Sequence, residues 1–189
     1  SSRSDRTTPG QTRSALPLLD PGVKIINFSS DKLAMGRTVD LGRDRIGRCL
    51  RIGTVNVGTM KGRYLEVAHM VRERRLDFCC LQETKWRSDG VRRILGNKFF
   101  WAGCEDGVGG VGVMVAEKWV EKVVEVKCIS SRLFVLRVIV GKSILNLVSV
   151  YAPQVGRTME EKEQFLVALR EVVSAVKDNE GLLGCGDMN

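Results

Sequence analysis

Asn56, Glu83, Tyr151, Asp187 and Asn189 each stand at or just past the end of an apolar run that reads as a β-strand. Strand ends on one rim of a sheet bring side chains that are distant in sequence into a single cleft. A carboxylate there suits Mg2+, a hard ion that prefers oxygen ligands. Asn and Tyr supply neutral donors for phosphate oxygens, and a second carboxylate can orient water. Taken singly, each has a plainer reading: Asn56 a turn residue, Glu83 a solvated charge, Tyr151 a core ring with a wet hydroxyl, Asp187 a loop cap. Their common position at strand ends is what sets them apart.

Other motifs carry less. Gly107, Gly109 and Gly112 satisfy G-x-G-x-x-G, but a dinucleotide fingerprint needs a helix next, and residues 111–116 are strand-like. A glycine-rich hairpin is expected instead. Gly141-Lys142-Ser143 would need a glycine at position 136 to open a phosphate-binding loop, and that position is Leu136. The six cysteines include no C-x-x-C pair and the chain has one histidine, His69, which rules out a zinc finger by ligand count. Adjacent Cys79 and Cys80 would point to opposite faces of a strand as free buried thiols.

The elements that must hold these residues are legible from periodicity. Residues 51–56 read as a strand, followed by a glycine-punctuated loop and a helix over 63–75 with Leu65, Ala68 and Val71 on its apolar face. Residues 76–82 form a buried strand ending at Glu83. Further strands are predicted over 99–103, 110–116, 122–129, 133–140 and 143–151, the last two joined by a two-residue turn at Gly141-Lys142. Thr158 and Glu161 make a capping box. The helix behind it carries Phe165, Leu166, Leu169, Val172, Val173 and Val176 on one stripe, and Gly181 is expected to close it. A short apolar strand, 182–186, leads to Asp187. Strands alternating with helices, plus hairpins, indicate a mixed α/β fold. Residues 1–49 hold three of the four prolines and no sustained apolar period, and read as a flexible basic N-terminal arm, so the folded unit is 50–189.

In order along the chain come Thr54-Val55-Asn56-Val57, Leu81-Gln82-Glu83-Thr84-Lys85, Tyr151-Ala152-Pro153 and Gly186-Asp187-Met188-Asn189. Together they resemble the endonuclease/exonuclease/phosphatase superfamily, and within it the endonuclease domain of non-LTR retrotransposons, the craniofacial development protein 2-like group above all. Gly110-Val111-Gly112-Val113, Ala116-Glu117-Lys118-Trp119 and Glu160-Glu161-Lys162-Glu163 carry the closer likeness. The resemblance covers about residues 50–189. It implies a four-layer DNase I-like α/β sandwich, of which the N-terminal part is present, and Mg2+- or Mn2+-dependent hydrolysis of DNA phosphodiesters. By position, Glu83 would bind the metal and Asn56 would support that site. Tyr151 would contact the scissile phosphate, Asp187 would activate water, and Asn189 would help hold the phosphate. Lys85, Arg87, Arg92 and Arg93, close behind Glu83, would grip the DNA backbone, with Trp86 either packing on sugar or base or serving the core. Met188 stands where the superfamily usually has Phe, and Ser131 where an acid often precedes the arginine matched by Arg132. A catalytic histidine from the superfamily's C-terminal half has no counterpart, since His69 falls mid-helix. The chain opens with Ser1 and stops just past the Asp187 motif, so the resemblance predicts a fragment, inactive as it stands, with the inner face of its first sheet uncovered.

Composition sets the partners. Hydrophobic residues make up 43% and charged residues 28%, which is globular rather than disordered. The net charge is +8, shared equally: nine Lys/Arg against five Asp in 1–49, and 21 against 17 acids in 50–189. Such a chain favours polyanions through counterion release at phosphates. No apolar run approaches the ~20 residues of a membrane span. Residues 133–150 are interrupted by Arg137, Gly141, Lys142 and Asn146. No signal peptide opens the chain, and with free thiols this predicts an intracellular, nuclear or cytoplasmic protein that binds DNA and no membrane. Three functions fit: a metal-dependent DNA endonuclease, a non-catalytic domesticated interaction module, or a small-molecule phosphatase of the same superfamily.

Overall fold

A computed structural model describes residues 50–189 in full and, for two short strands before them, the backbone of Lys24–Asn27 (β1) and Thr38–Val39 (β2). Both strands fall inside the segment read as an arm; the rest of that segment lies outside the described residues. From residue 50 the elements are β3 (Leu50–Asn56), α1 (Tyr64–Glu73), β4 (Phe78–Gln82), β5 (Gly90–Ile94), β6 (Asn97–Ala102), β7 (Val111–Val115), a 3-10 turn (Glu117–Lys122), β8 (Val123–Ser130), β9 (Leu133–Val140), β10 (Ser143–Tyr151), α2 (Met159–Ser174) and β11 (Gly181–Asp187).

The strands form two sheets, ordered β1-β11-β10-β9-β8 and β2-β3-β4-β7-β6-β5. Side-chain alternation explains how they stack. One set of alternate residues buries between the sheets: Ile52, Phe78, Cys80 and Val113 from one, Leu136, Leu147, Leu183 and Cys185 from the other. The opposite set faces outward onto helices. Cys79, Leu81 and Met114 meet Val67, Ala68 and Val71 of α1. Leu133, Val135, Val148 and Val150 meet Phe165, Leu169 and Val172 of α2. The result is four layers, helix–sheet–sheet–helix. The inner face of the first sheet is therefore covered within this chain, contrary to expectation, because residues 50–189 supply four strands to one sheet and five to the other, with β1 and β2 added at an edge of each.

The capping box at Thr158 and Glu161 is formed, each side chain meeting the other residue's backbone N–H. Each fully buried apolar side chain on α2 contributes about 1.5–3 kcal/mol. Three local readings differ. Leu65 is exposed and Val67 takes the buried position on α1. The long helix ends at Ser174, and Gly181 opens β11 instead of closing α2. Strand β5 was not legible, because Gly90–Ile94 is a sheet edge with three exposed residues and no alternation. Gly107, Gly109 and Gly110 lie in the hairpin loop between antiparallel β6 and β7, Gly112 lies within β7, and Val140 pairs with Ser143 across the Gly141-Lys142 turn. Cys79 and Cys80 are buried, free and on opposite faces. Among the described residues no helix is long and apolar enough to cross a membrane.

Candidate active site

The rim of the sandwich is made by the carboxyl ends of four strands. β3 and β4 run parallel with Asn56 level with Gln82, and β10 and β11 run parallel with Tyr151 level with Asp187. Alternation then decides the side chains. Ile52, Thr54 and Asn56 share the inner face of one sheet; Leu147, Ser149 and Tyr151, and Leu183, Cys185 and Asp187, share the inner face of the other. Three polar residues thus converge between the sheets at one end without any special loop.

Glu83 reaches them by a turn. Its φ is +56° and that of Lys85 is +54°, left-handed values that a non-glycine residue adopts only when its surroundings hold it. Those surroundings are backbone hydrogen bonds. Thr84 N donates to Gly110 O at 3.1 Å, Lys85 N to Gly109 O at 2.8 Å, and Met60 N to Thr84 O at 2.9 Å. Gly110 N donates in turn to Ser131 O of the other sheet at 3.0 Å. Gly110 itself has φ +85°, and a Cβ there would fall on the Thr84 hydroxyl, so the strap requires glycine.

The resulting contacts are direct. The Asn56 amide Nδ2 donates to Glu83 Oε1 at 2.9 Å and to Asp187 Oδ2 at 3.4 Å. The Tyr151 hydroxyl donates to Glu83 Oε1 at 2.9 Å. Lys85 Nζ stands 3.5 Å from Glu83 Oε2. Asn189 N donates to Asp187 Oδ1 at 3.1 Å, and its side-chain amide to Ala152 O at 2.7 Å. The Arg132 guanidinium lies 5.1 Å above the Tyr151 ring, with Nη1 at 3.4 Å from the Tyr151 and Ala152 carbonyls. Partial burial pushes the Glu83 carboxyl up, but the hydrogen bonds from Asn56 and Tyr151 and the Lys85 charge outweigh it, so it is held below the usual range and ionised. Burial first, and then the bond to Glu83, push the Tyr151 phenol up to about 12, so it remains a donor.

All five expected site residues are thus brought together. Of the four basic residues, Arg92 and Arg93 are not. Lys85 is at the site, and Arg87 is exposed beside the Gly107 loop. Arg92 lies over the Tyr64 ring at 5.2 Å, and Arg93 faces Glu121 at 3.9 Å. Both are on edge strand β5, three strands or about 14 Å across the sheet from β4. Arg92 pairs with Phe99 and so is level with Met114 and Cys79, well below the rim. Trp86 is half-buried, edge-on to Trp101 at 4.4 Å and 5.5 Å from Phe99, and so belongs to the packing on the α1 side. His69 is exposed on α1, in an outer layer. The strap through Gly109 and Gly110, and Arg132 over Tyr151, were not assigned to the site from sequence; the paired glycines before β7 were the available signal.

A divalent cation fits this donor set. Glu83 and Asp187 are oxygen donors gathered by one amide, and Mg2+ binds through one or two carboxylates completed by water and substrate phosphate. Mn2+ takes the same donors. Asn56 turns its nitrogen to the carboxylates, while its Oδ1 accepts from Gly58 N at 3.0 Å. Asn56 thus meets both carboxylates through its amide nitrogen and Gly58 through its oxygen.

Solved structures share this architecture. An AP endonuclease from Archaeoglobus fulgidus superposes with a TM-score of 0.54 at 23% identity, covering 74% of this chain and 57% of its own. A 3'-5' exonuclease from Neisseria meningitidis gives 0.54 at 20%, covering 73% and 57%. D. rerio TDP2, solved with a single-strand DNA product, gives 0.54 at 16%, covering 74% and 60%. The fold is the DNase I-like α/β sandwich. At these identities the likeness establishes fold alone, and the chain spans about three-fifths of the length of each structure. No family model and no curated protein sequence matches it.

Proposed function

We propose that the rim cluster is a Mg2+- or Mn2+-dependent phosphodiesterase site for DNA, of the retrotransposon-endonuclease type. The observation that carries this reading is the convergence of Asn56 and Tyr151 on one oxygen of an ionised Glu83, with Asp187 held by the same Asn56 amide. Glu83 and Asp187 would hold the cation, which supplies neutralisation of charge building on the phosphate oxygens. Tyr151, whose single hydroxyl proton is directed at Glu83 in the free site, would turn that proton to a phosphate oxygen when the cation engages Glu83. Asp187, fixed by Asn189 N, accepts a proton from the attacking water. The net charge of +8 supports DNA over a small phosphoester. Among the described residues, Lys85 and Arg87 are placed to meet its backbone.

The chain's one histidine lies on α1, so the rim has no imidazole to share the acid–base work, and groups that act as a unit fail together. Turnover by residues 1–189 is therefore expected to be weak, which also supports a second reading, a DNA-binding module without catalysis. Supercoiled plasmid incubated with excess chain tests this. The expected result is at most trace nicking, dependent on Mg2+. Robust Mg2+-dependent nicking that disappears in Glu83→Gln would overturn the weak-turnover part. Robust nicking that survives Glu83→Gln would overturn the site.

A further inference from the structure

We infer that Thr54, Gln82 and Ser149 form a positioning device that sets the offset between the two sheets at the rim, and so the contact between Tyr151 and Glu83. The three side chains make a chain of hydrogen bonds across the interior. Thr54 Oγ1 donates to Gln82 Oε1 at 3.2 Å, Gln82 Nε2 donates to Ser149 Oγ at 3.3 Å, and Ser149 Oγ donates to Leu81 O at 3.3 Å. All are buried, at 3%, 1% and 0% exposure, in the interior between the sheets, whose apolar members include Cys80, Val113, Leu147 and Cys185.

Their places in the strands matter. Thr54 is two residues before Asn56 and Ser149 two before Tyr151, so each shares a face with a rim residue; Gln82 directly precedes Glu83. Apolar packing between sheets is non-directional and tolerates a small slide. A slide moves Tyr151 on β10 relative to Glu83 after β4, and the 2.9 Å contact between them does not survive a displacement of an ångström. The bond from Gln82 to Ser149 crosses from one sheet to the other and is directional, so it selects one offset. Stability does not require it. A buried polar set replaced throughout by apolar groups of the same shape is close to neutral, whereas a half-satisfied one is costly. The trio thus adds geometry more than free energy.

This rests on the proposed function only in treating Glu83 and Tyr151 as working residues, and its test needs neither metal nor DNA. The chain has two tyrosines, Tyr64 and Tyr151, so labelling with 3-fluorotyrosine gives two 19F resonances, with Tyr64 as internal control. The triple variant Thr54→Val, Gln82→Met, Ser149→Ala removes the trio's polar side chains together, so none of the three faces an unpaired member of the trio; the partners it releases are the Leu81 carbonyl and the Cys80 thiol. It is expected to unfold cooperatively at or above the parent Tm, with the Tyr151 resonance displaced beyond its linewidth and that of Tyr64 unmoved. A folded triple variant with both resonances in place overturns the inference. Should the triple variant not fold, the pair Thr54→Val and Thr54→Ser decides. The hydroxyl-free variant is expected to move the Tyr151 resonance while Thr54→Ser leaves it, and equal behaviour of the two overturns the inference. A plasmid or metal-binding assay that fails leaves this result standing, so the two proposals fail separately.

Discussion

Replacing Glu83 by Gln separates the site's hydrogen bonding from its charge. The amide oxygen still accepts from Asn56 and Tyr151, so the local shape is kept, but two charge-assisted bonds become neutral ones. That costs about 1–2 kcal/mol in the metal-free protein. The larger effect is on the cation. Removing a unit charge about 4 Å from a divalent ion loses about 2 kcal/mol even at the dielectric of water, or about 30-fold in affinity. With Mg2+ at about thirty times the parent Kd, linkage stabilises the parent by about 2 kcal/mol and the variant by about 0.4 kcal/mol. For a domain of this size, each kcal/mol moves Tm by about 2–4 °C. Differential scanning calorimetry should therefore show Mg2+ raising the parent Tm by about 4–8 °C and that of Glu83→Gln by about 1 °C, with both shifts reversed by chelator. Equal Mg2+ shifts in the two proteins would refute the assignment of the cation to Glu83.

Three further outcomes follow from packing and charge. Gly186 lies level with Val150 in the β10–β11 ladder, and a Cβ there would land on the Val150 carbonyl, so Gly186→Ala should cost more than about 3 kcal/mol in urea unfolding. Arg137 joins Glu125 and Glu180 at 2.6 Å each. The bond from Arg137 lowers the Glu125 carboxyl, and that from Asn146, then Arg137, lowers that of Glu180 against the upward push of burial. Both folded values lie below their unfolded ones, so this stabilisation is complete above the ordinary carboxylate range and is lost as pH falls through the folded values. The Tm of Arg137→Met should therefore lie below the parent's at neutral pH and converge with it in acid. Burial holds the Cys79 thiol up at about 12 and raises Cys80 well above its ordinary value, so mild alkylation near pH 8 should spare both until the chain is unfolded.

The site was legible in the sequence because its positions follow from period-2 alternation. Asn56, Tyr151 and Asp187 end inner-face rows, so locating the strand ends located the cluster. Arg92 and Arg93 stand apart from Glu83 for the converse reason. Closeness to Glu83 in sequence does not survive the excursion through β5, whose edge position leaves no apolar signature. The inter-sheet bond from Gln82 to Ser149 joins residues 67 positions apart, and no local pattern marks it. No pattern along the chain says which strands share a sheet; the division, and the mutual burial of the two sheets, emerge only when Phe78 and Cys80 are seen against Leu136 and Leu147.

A working phosphodiesterase rim must take up metal and a DNA phosphodiester together. Fluorescence anisotropy of a short labelled DNA duplex, titrated with the 189-residue chain in Mg2+ and again in chelator at matched ionic strength, measures this. Mg2+ screens and competes at phosphates, so purely electrostatic binding weakens when it is added. A cation held by Glu83 and Asp187 at the rim gives the opposite for the parent chain, tighter binding in Mg2+ than in chelator, with the gain absent in both Glu83→Gln and Asp187→Asn. Binding that Mg2+ only weakens, or a gain that both variants retain, would contradict it.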